Sequence, residues 1–249
     1  MTKVAVTAVE RVLNIIEAFN TARRPLSLTE LAGAIGVPKS SCHAIVATLI
    51  ARGCLYTLAR PRALYPTRRL HDLAREILRH DPFIETALPQ MEALRDASRE
   101  TVIFGKRQGN AVVYLQVVEG SHPIRYSATP GEIKPLHSSA IGKAILAGMR
   151  ESELRKLLEE LALPAVTPST LVDRDAILAD VAAGRRMGYQ VTRGENVPDV
   201  WAVAASLTIH DETVAVAVAG PRHRMEGNLQ ECALLLVATC SALARQAGR

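Results

Sequence analysis

Two clusters of side chains in this sequence are suited to chemistry. In one, Lys39, Ser40, Ser41 and His43 stand almost consecutively. Short hydroxyls, one lysine and one histidine at a helix start suit a surface that enters a DNA major groove, where the first turn reaches bases and phosphates. The competing reading is the solvated face of an ordinary helical hairpin. In the other cluster, His137, Ser138 and Ser139 open the segment LHSSAIGKAILA. A helix that begins with two serines offers unpaired N–H groups and hydroxyl donors to a carboxylate, with His137 as a further donor. Alternatively, Ser138 merely caps the helix. Lys143 does not complete a nucleotide-phosphate loop, which needs glycine where His137 stands and Ser or Thr where Ala144 stands. A hydrolytic set of His137, Ser139 and Glu195 is a third possibility, but no GxSxG elbow frames the serine.

The elements that must position the first cluster are legible around it. Ser27 can cap a helix while Glu30 reaches back to close a capping box. Leu28, Leu31, Ala32 and Ile35 recur at helical spacing, Gly36 permits a turn, and Pro38 precedes a second helix. That helix turns Cys42, Ile45, Val46 and Leu49 inward and ends at Gly53. Two short strands follow, at 55–58 and 64–65, joined by Ala59-Arg60-Pro61-Arg62-Ala63. Two helices and a basic hairpin make a winged helix-turn-helix, with Arg60 and Arg62 placed for phosphates. From Arg52 to Arg69 there are five arginines and no acid.

Charge supports the same division. The 249 residues carry a net +5, of which residues 1–82 hold +6 and residues 83–249 hold −1. The excess positive charge thus lies where counterion release on DNA would use it. A hydrophobic content of 48% with 22% charged residues is that of a globular protein. No uninterrupted apolar run reaches membrane-spanning length, and residues 1–13 lack a signal peptide's core, so a cytoplasmic location is expected. Four cysteines without a CxxC pair suggest buried thiols rather than a metal or disulfide framework, and no cofactor is expected.

Along the chain, an amphipathic helix over 7–19 completes a three-helix core, and a helix over 67–80 reads as a linker. Helices are expected over 82–100, 138–149, 151–160, 173–187 and 226–246. Strands are expected over 101–107, 111–118, 124–127, 189–193, 200–209 and 213–219, with a loop at 131–135. Strands grouped between helices give an α+β domain with a mainly antiparallel sheet. The expected domains are 1–66 (winged helix-turn-helix), 67–82 (linker helix) and 83–249 (effector binding and oligomerisation).

Together LSLTELAGAIGVPKSSCHAIVATLIARG, PLHSSAIGKAILA, Gly188-Tyr189 with Glu195, and AVAVAGP ending at Pro221 resemble the IclR family of bacterial transcriptional regulators. The resemblance spans residues 6–225. It implies a winged helix-turn-helix, a linker helix and a GAF-like domain that binds a small organic acid. It also implies operator DNA and a homodimer or homotetramer as the functional assembly. The family commonly has Thr where Ser41 stands and Arg where Ala44 stands. It lines one pocket wall with polar groups at positions matching Thr192, Ala202, Ala217 and Ala219. Glu195 is kept, beside Gly194, while Asp199 and Ser206 replace the usual glycine and proline. Three alanines make that wall wider and more apolar. The resemblance therefore implies an acid with an apolar or aromatic body, or a domain that only oligomerises. Trp201 lies beside the wall, and strand alternation leaves its direction open.

Overall fold

A computed structural model describes residues 7–59, 62–81 and 83–247. The chain divides into two compact units at His80/Asp81. In the first, α1 (Thr7–Ala22), α2 (Leu28–Ala34) and α3 (Lys39–Ala51) precede a wing of β1 (Leu55–Leu58) and β2 (Ala63–Pro66), then α4 (Arg69–Leu78). The expected capping box forms: the Ser27 N–H donates to Glu30 over 2.7 Å, and the Glu30 N–H donates to Ser27 Oγ over 3.2 Å. The Ser27 backbone bond, aided by the Arg24 guanidinium, holds the Glu30 carboxyl down at about 2. Ile15, Phe19, Leu31, Cys42, Val46 and Leu55 close the core of this unit.

The second unit contains α5 (Ile84–Ser98), β3 (Thr101–Gln108), β4 (Ala111–Val118), β5 (Ile133–Pro135), α6 (Ala140–Gly148), α7 (Glu151–Glu160), α8 (Arg174–Met187), β6 (Gln190–Arg193), β7 (Val200–Ile209), β8 (Glu212–Pro221) and α9 (Arg222–Ala247). Its six strands run β5-β4-β3-β8-β7-β6, antiparallel throughout.

Period-2 alternation assigns the two faces. On β8, Val214, Val216 and Val218 join the cluster with α5 and α9, while Ala215, Ala217 and Ala219 join the one with α6, α7 and α8. The alanine face lets α6 lie close to the sheet. At Gly142 the helix presses on the segment that leads into it, where an added Cβ would lie 2.2 Å from the Leu136 carbonyl oxygen.

Two expectations fail here. Residues 124–127 form no strand, because Ile124 is exposed, Arg125 turns to Glu119, and the Tyr126 carbonyl accepts from Thr101 Oγ1 instead of a ladder N–H. The strand on the β4 edge is 133–135, inside the expected loop. Among the described residues, α9 alone is a single helix long and apolar enough, by composition, to cross a membrane. A stripe of it, including Met225, Cys232, Leu236, Cys240 and Leu243, is instead buried on the valine face.

Candidate functional sites

A cavity sits between the alanine face of the sheet and the first turn of α6. Register explains how distant residues meet there. Thr192 pairs with Ala202 and Ala202 with Ala219, giving one row across β6, β7 and β8, while Ala217 pairs with Ile103 across β8 and β3. Ser139, Ala140 and Ile141 roof it, Asn196 and Val197 close one side, and Tyr114 and Tyr126 also line it. Its non-atom volume is about 390 Å³ including the mouth. The interior is narrow, with free room for about one or two waters.

The polar groups differ from those expected. The helix cap is Ser139, not Ser138: Ser139 Oγ accepts from the Gly142 N–H over 3.1 Å and donates to the Pro135 carbonyl over 2.7 Å. Ser138 is buried beside the cavity, and its oxygen accepts from Asn196 Nδ2 over 3.2 Å. His137 does not line the cavity; its imidazole bonds the Pro164 carbonyl through Nε2 over 3.0 Å. Burial, assisted by the Lys143 charge, holds it below the usual histidine range against that hydrogen bond, so it is neutral. The Ser139 proton is therefore committed to the Pro135 carbonyl, whereas Ser138 only accepts and its own proton has no acceptor among the described residues.

Backbone donors are free as well. The N–H groups of Ala140 and Ile141, in the uncapped part of the first turn, have no hydrogen-bond acceptor among the described residues. Thr192 is buried, lines the cavity, and makes no side-chain hydrogen bond among the described residues. Burial raises the Tyr114 and Tyr126 phenols above their ordinary range, so both stay neutral donors. Sequence reasoning missed both tyrosines and Asn196. Apart from Thr192 on the wall, it placed the polar groups at the helix end, whereas the tyrosines can pair a second polar group.

Lys143, on the second turn of α6, is wholly buried. Its Nζ meets Asp180 on α8 at 2.8 Å and abuts the Glu195 carboxylate, whose Oε2 lacks an aligned hydrogen bond. Burial raises the Glu195 carboxyl above the usual range even against the Lys143 charge. No Ser139–His137 hydrogen bond exists, which removes the hydrolytic set. Trp201 belongs to the opposite face, where its ring lies 5.5 Å from the Arg193 guanidinium and 5.9 Å from that of Arg222.

In the first unit, Lys39, His43 and Arg62 line one groove between α3 and the wing. Ser40 is exposed on the same turn and Ser41 is half-buried. No side chain caps α3, which leaves its first N–H groups open to a phosphate. Arg60 lies outside the described residues.

The family description "IclR helix-turn-helix domain" matches residues 8–59, and "Bacterial transcriptional regulator IclR C-terminal" matches residues 75–245. The chain belongs to the IclR family of bacterial transcriptional regulators. Among IclR relatives, the HTH-type transcriptional regulator BhcR of Paracoccus denitrificans is 31% identical over 88% of this chain and 79% of its own. XynR of Escherichia coli K12 is 28% identical over 86% and 84%. The Thermotoga maritima IclR crystal structure superposes with a TM-score of 0.84 at 22% identity, covering 98% of this chain and 100% of that one. An IclR homolog from Microbacterium hydrocarbonoxydans, complexed with 4-hydroxybenzoate, gives 0.73 at 22% identity over 96% and 99%. An IclR regulator binds DNA and is not an enzyme, which agrees with a groove lined by Lys39, His43 and Arg62 and with the broken hydrolytic set.

Proposed function

We propose that this IclR regulator is switched by a small organic acid with an apolar or aromatic body, held in the cavity under α6. The supporting observation is the pair of unpaired N–H groups, on Ala140 and Ile141, facing a cavity floored by Ala202, Ala217 and Ala219. Helix dipole and free donors together favour a carboxylate there. Ser139 orders that turn, while Ser138 and His137 hold its surroundings. The tyrosines can accommodate a polar substituent on the body. The homolog bound to 4-hydroxybenzoate accords with such a ligand.

A ring needs the interior to widen. The connector carrying Tyr126, which is neither helix nor strand, is where movement costs least. In this reading residues 1–66 read operator DNA through Lys39, Ser40, Ser41, His43, Arg60 and Arg62. Residues 67–82 link, residues 83–249 bind the effector, and the assembly is a homodimer or homotetramer in the bacterial cytoplasm. The narrow interior favours one rival, a domain that only oligomerises.

Calorimetry separates the two. Aromatic acids such as benzoate should bind more tightly than glyoxylate or pyruvate. Tighter binding of the small acids removes the apolar body from the proposal, and absence of binding by all of them favours the rival.

A further inference from the structure

Asn196 is held more firmly than a loop residue needs to be. Its loop, between β6 and β7, is pinned from several sides. Thr167 Oγ1 donates to the Gly194 carbonyl and Thr170 Oγ1 to the Glu195 carbonyl, each over 2.7 Å. The Gly194 N–H donates to the Val200 carbonyl over 3.0 Å, and the Glu195 carboxylate is drawn inward to Lys143. Gly194 adopts φ +74°, and a Cβ there would meet the Pro198 carbonyl oxygen at 2.4 Å, so the turn requires glycine. The polar residue this loop delivers to the cavity is Asn196.

A primary amide has two N–H donors and one acceptor oxygen. One donor is used on Ser138, fully buried and adjacent to the Ser139 cap. The other donor and the oxygen make no hydrogen bond among the described residues. Nearby on the floor stands Thr192, a buried residue whose hydroxyl makes no hydrogen bond among the described residues either. These groups lie beside, not at, the N–H pair that suits a carboxylate. They match a neutral group that can donate and accept, next to the acid.

We infer that Asn196, supported by Thr192, is the specificity-determining residue, and that it selects acids bearing a hydroxyl on the carbon next to the carboxylate. This rests on the acid-binding reading of the same cavity. Asn196 donates to and accepts from that hydroxyl, while Ala140 and Ile141 hold the carboxylate. An acid without the hydroxyl binds with Asn196 and Thr192 left unpaired.

Two matched pairs test this by calorimetry on the full chain: mandelate against phenylacetate, and lactate against propionate. Each pair differs by the one hydroxyl. The hydroxy acid should bind about five- to tenfold more tightly in whichever pair the cavity admits. Asn196→Ala should erase that preference, bringing the two acids of a binding pair to within about twofold of each other. Equal affinities within a binding pair in the wild-type protein, or a preference that survives Asn196→Ala, overturns the role of Asn196 and leaves acid binding intact. The wild-type comparison decides even if the variant folds poorly. If none of the four acids binds, the acid-binding reading falls and this inference falls with it. Binding of lactate but not mandelate, with lactate ahead of propionate, supports Asn196 and instead overturns the apolar body.

Discussion

Glu195 is subject to two opposed influences, and their balance is measurable. Burial raises its carboxyl pKa and the Lys143 ammonium lowers it, with burial the larger. A carboxyl raised on folding contributes stability that is fully present below its unfolded value and lost as pH rises through the folded value. Glu195→Gln removes this titration but leaves Lys143 paired with Asp180. The melting temperature of the variant relative to wild type should therefore rise from pH 4.5 towards neutrality. A difference that stays flat over that range means that the Lys143 pair fully offsets burial. The residue types of the cavity were only partly legible. Thr192 and the three alanines came from matching positions, and the register brings them together. Tyr114, Tyr126 and Asn196 stood in no motif, since only the antiparallel pairing of distant segments places them side by side. His137 looked like a free donor because sequence does not reveal that its Nε2–H already donates to the Pro164 carbonyl.

At the level of elements, α6 shows why small residues recur where they do. Replacing glycine by alanine inside a helix normally stabilises by about 0.5–1 kcal/mol. At Gly142 the new Cβ would lie 2.2 Å from the Leu136 oxygen and 2.6 Å from its Cα, backbone atoms that cannot yield without moving the segment before the cap. At Gly148 it would meet the Ser206 side-chain oxygen at 3.3 Å, a contact a rotamer can relieve. Gly142→Ala should thus destabilise by about 1–3 kcal/mol in urea unfolding, while Gly148→Ala should be near neutral. Equal effects at the two sites would mean that α6 does not press on the Leu136 backbone. Elements were the most legible level: capping and helical spacing gave α2 and α3 nearly to the residue, and the expected ranges for α7, α8 and β7 match those observed. The strand near Ile133 was hidden because three residues carry no period, and only the exposed edge of β4 makes them a strand.

For the whole molecule, the first unit poses a question that its own core does not answer. α4 has apolar Leu70, Leu73, Ala74, Ile77 and Leu78, yet none of its residues is buried, and Leu73, Ile77 and Leu78 are 48%, 72% and 60% exposed. On α1, Val9 and Leu13 are more than half exposed as well. A helix gains most of its stability from burying such a face, so α4 needs a surface to cover it. In the proposed homodimer or homotetramer a second copy would supply one, and helix-turn-helix proteins read two-fold operators by presenting paired recognition helices at helical-turn spacing. The double variant Leu73→Glu, Ile77→Glu places charge on that face without touching Lys39, His43 or Arg62. Light scattering should then show a smaller assembly than wild type at micromolar concentration. DNA affinity should fall, and so should its dependence on salt: the slope of log K against log salt scales with the number of phosphates neutralised, and one recognition unit contacts about half as many as two. An unchanged assembly size together with an unchanged slope would mean that another surface, such as that of α1, pairs the recognition helices.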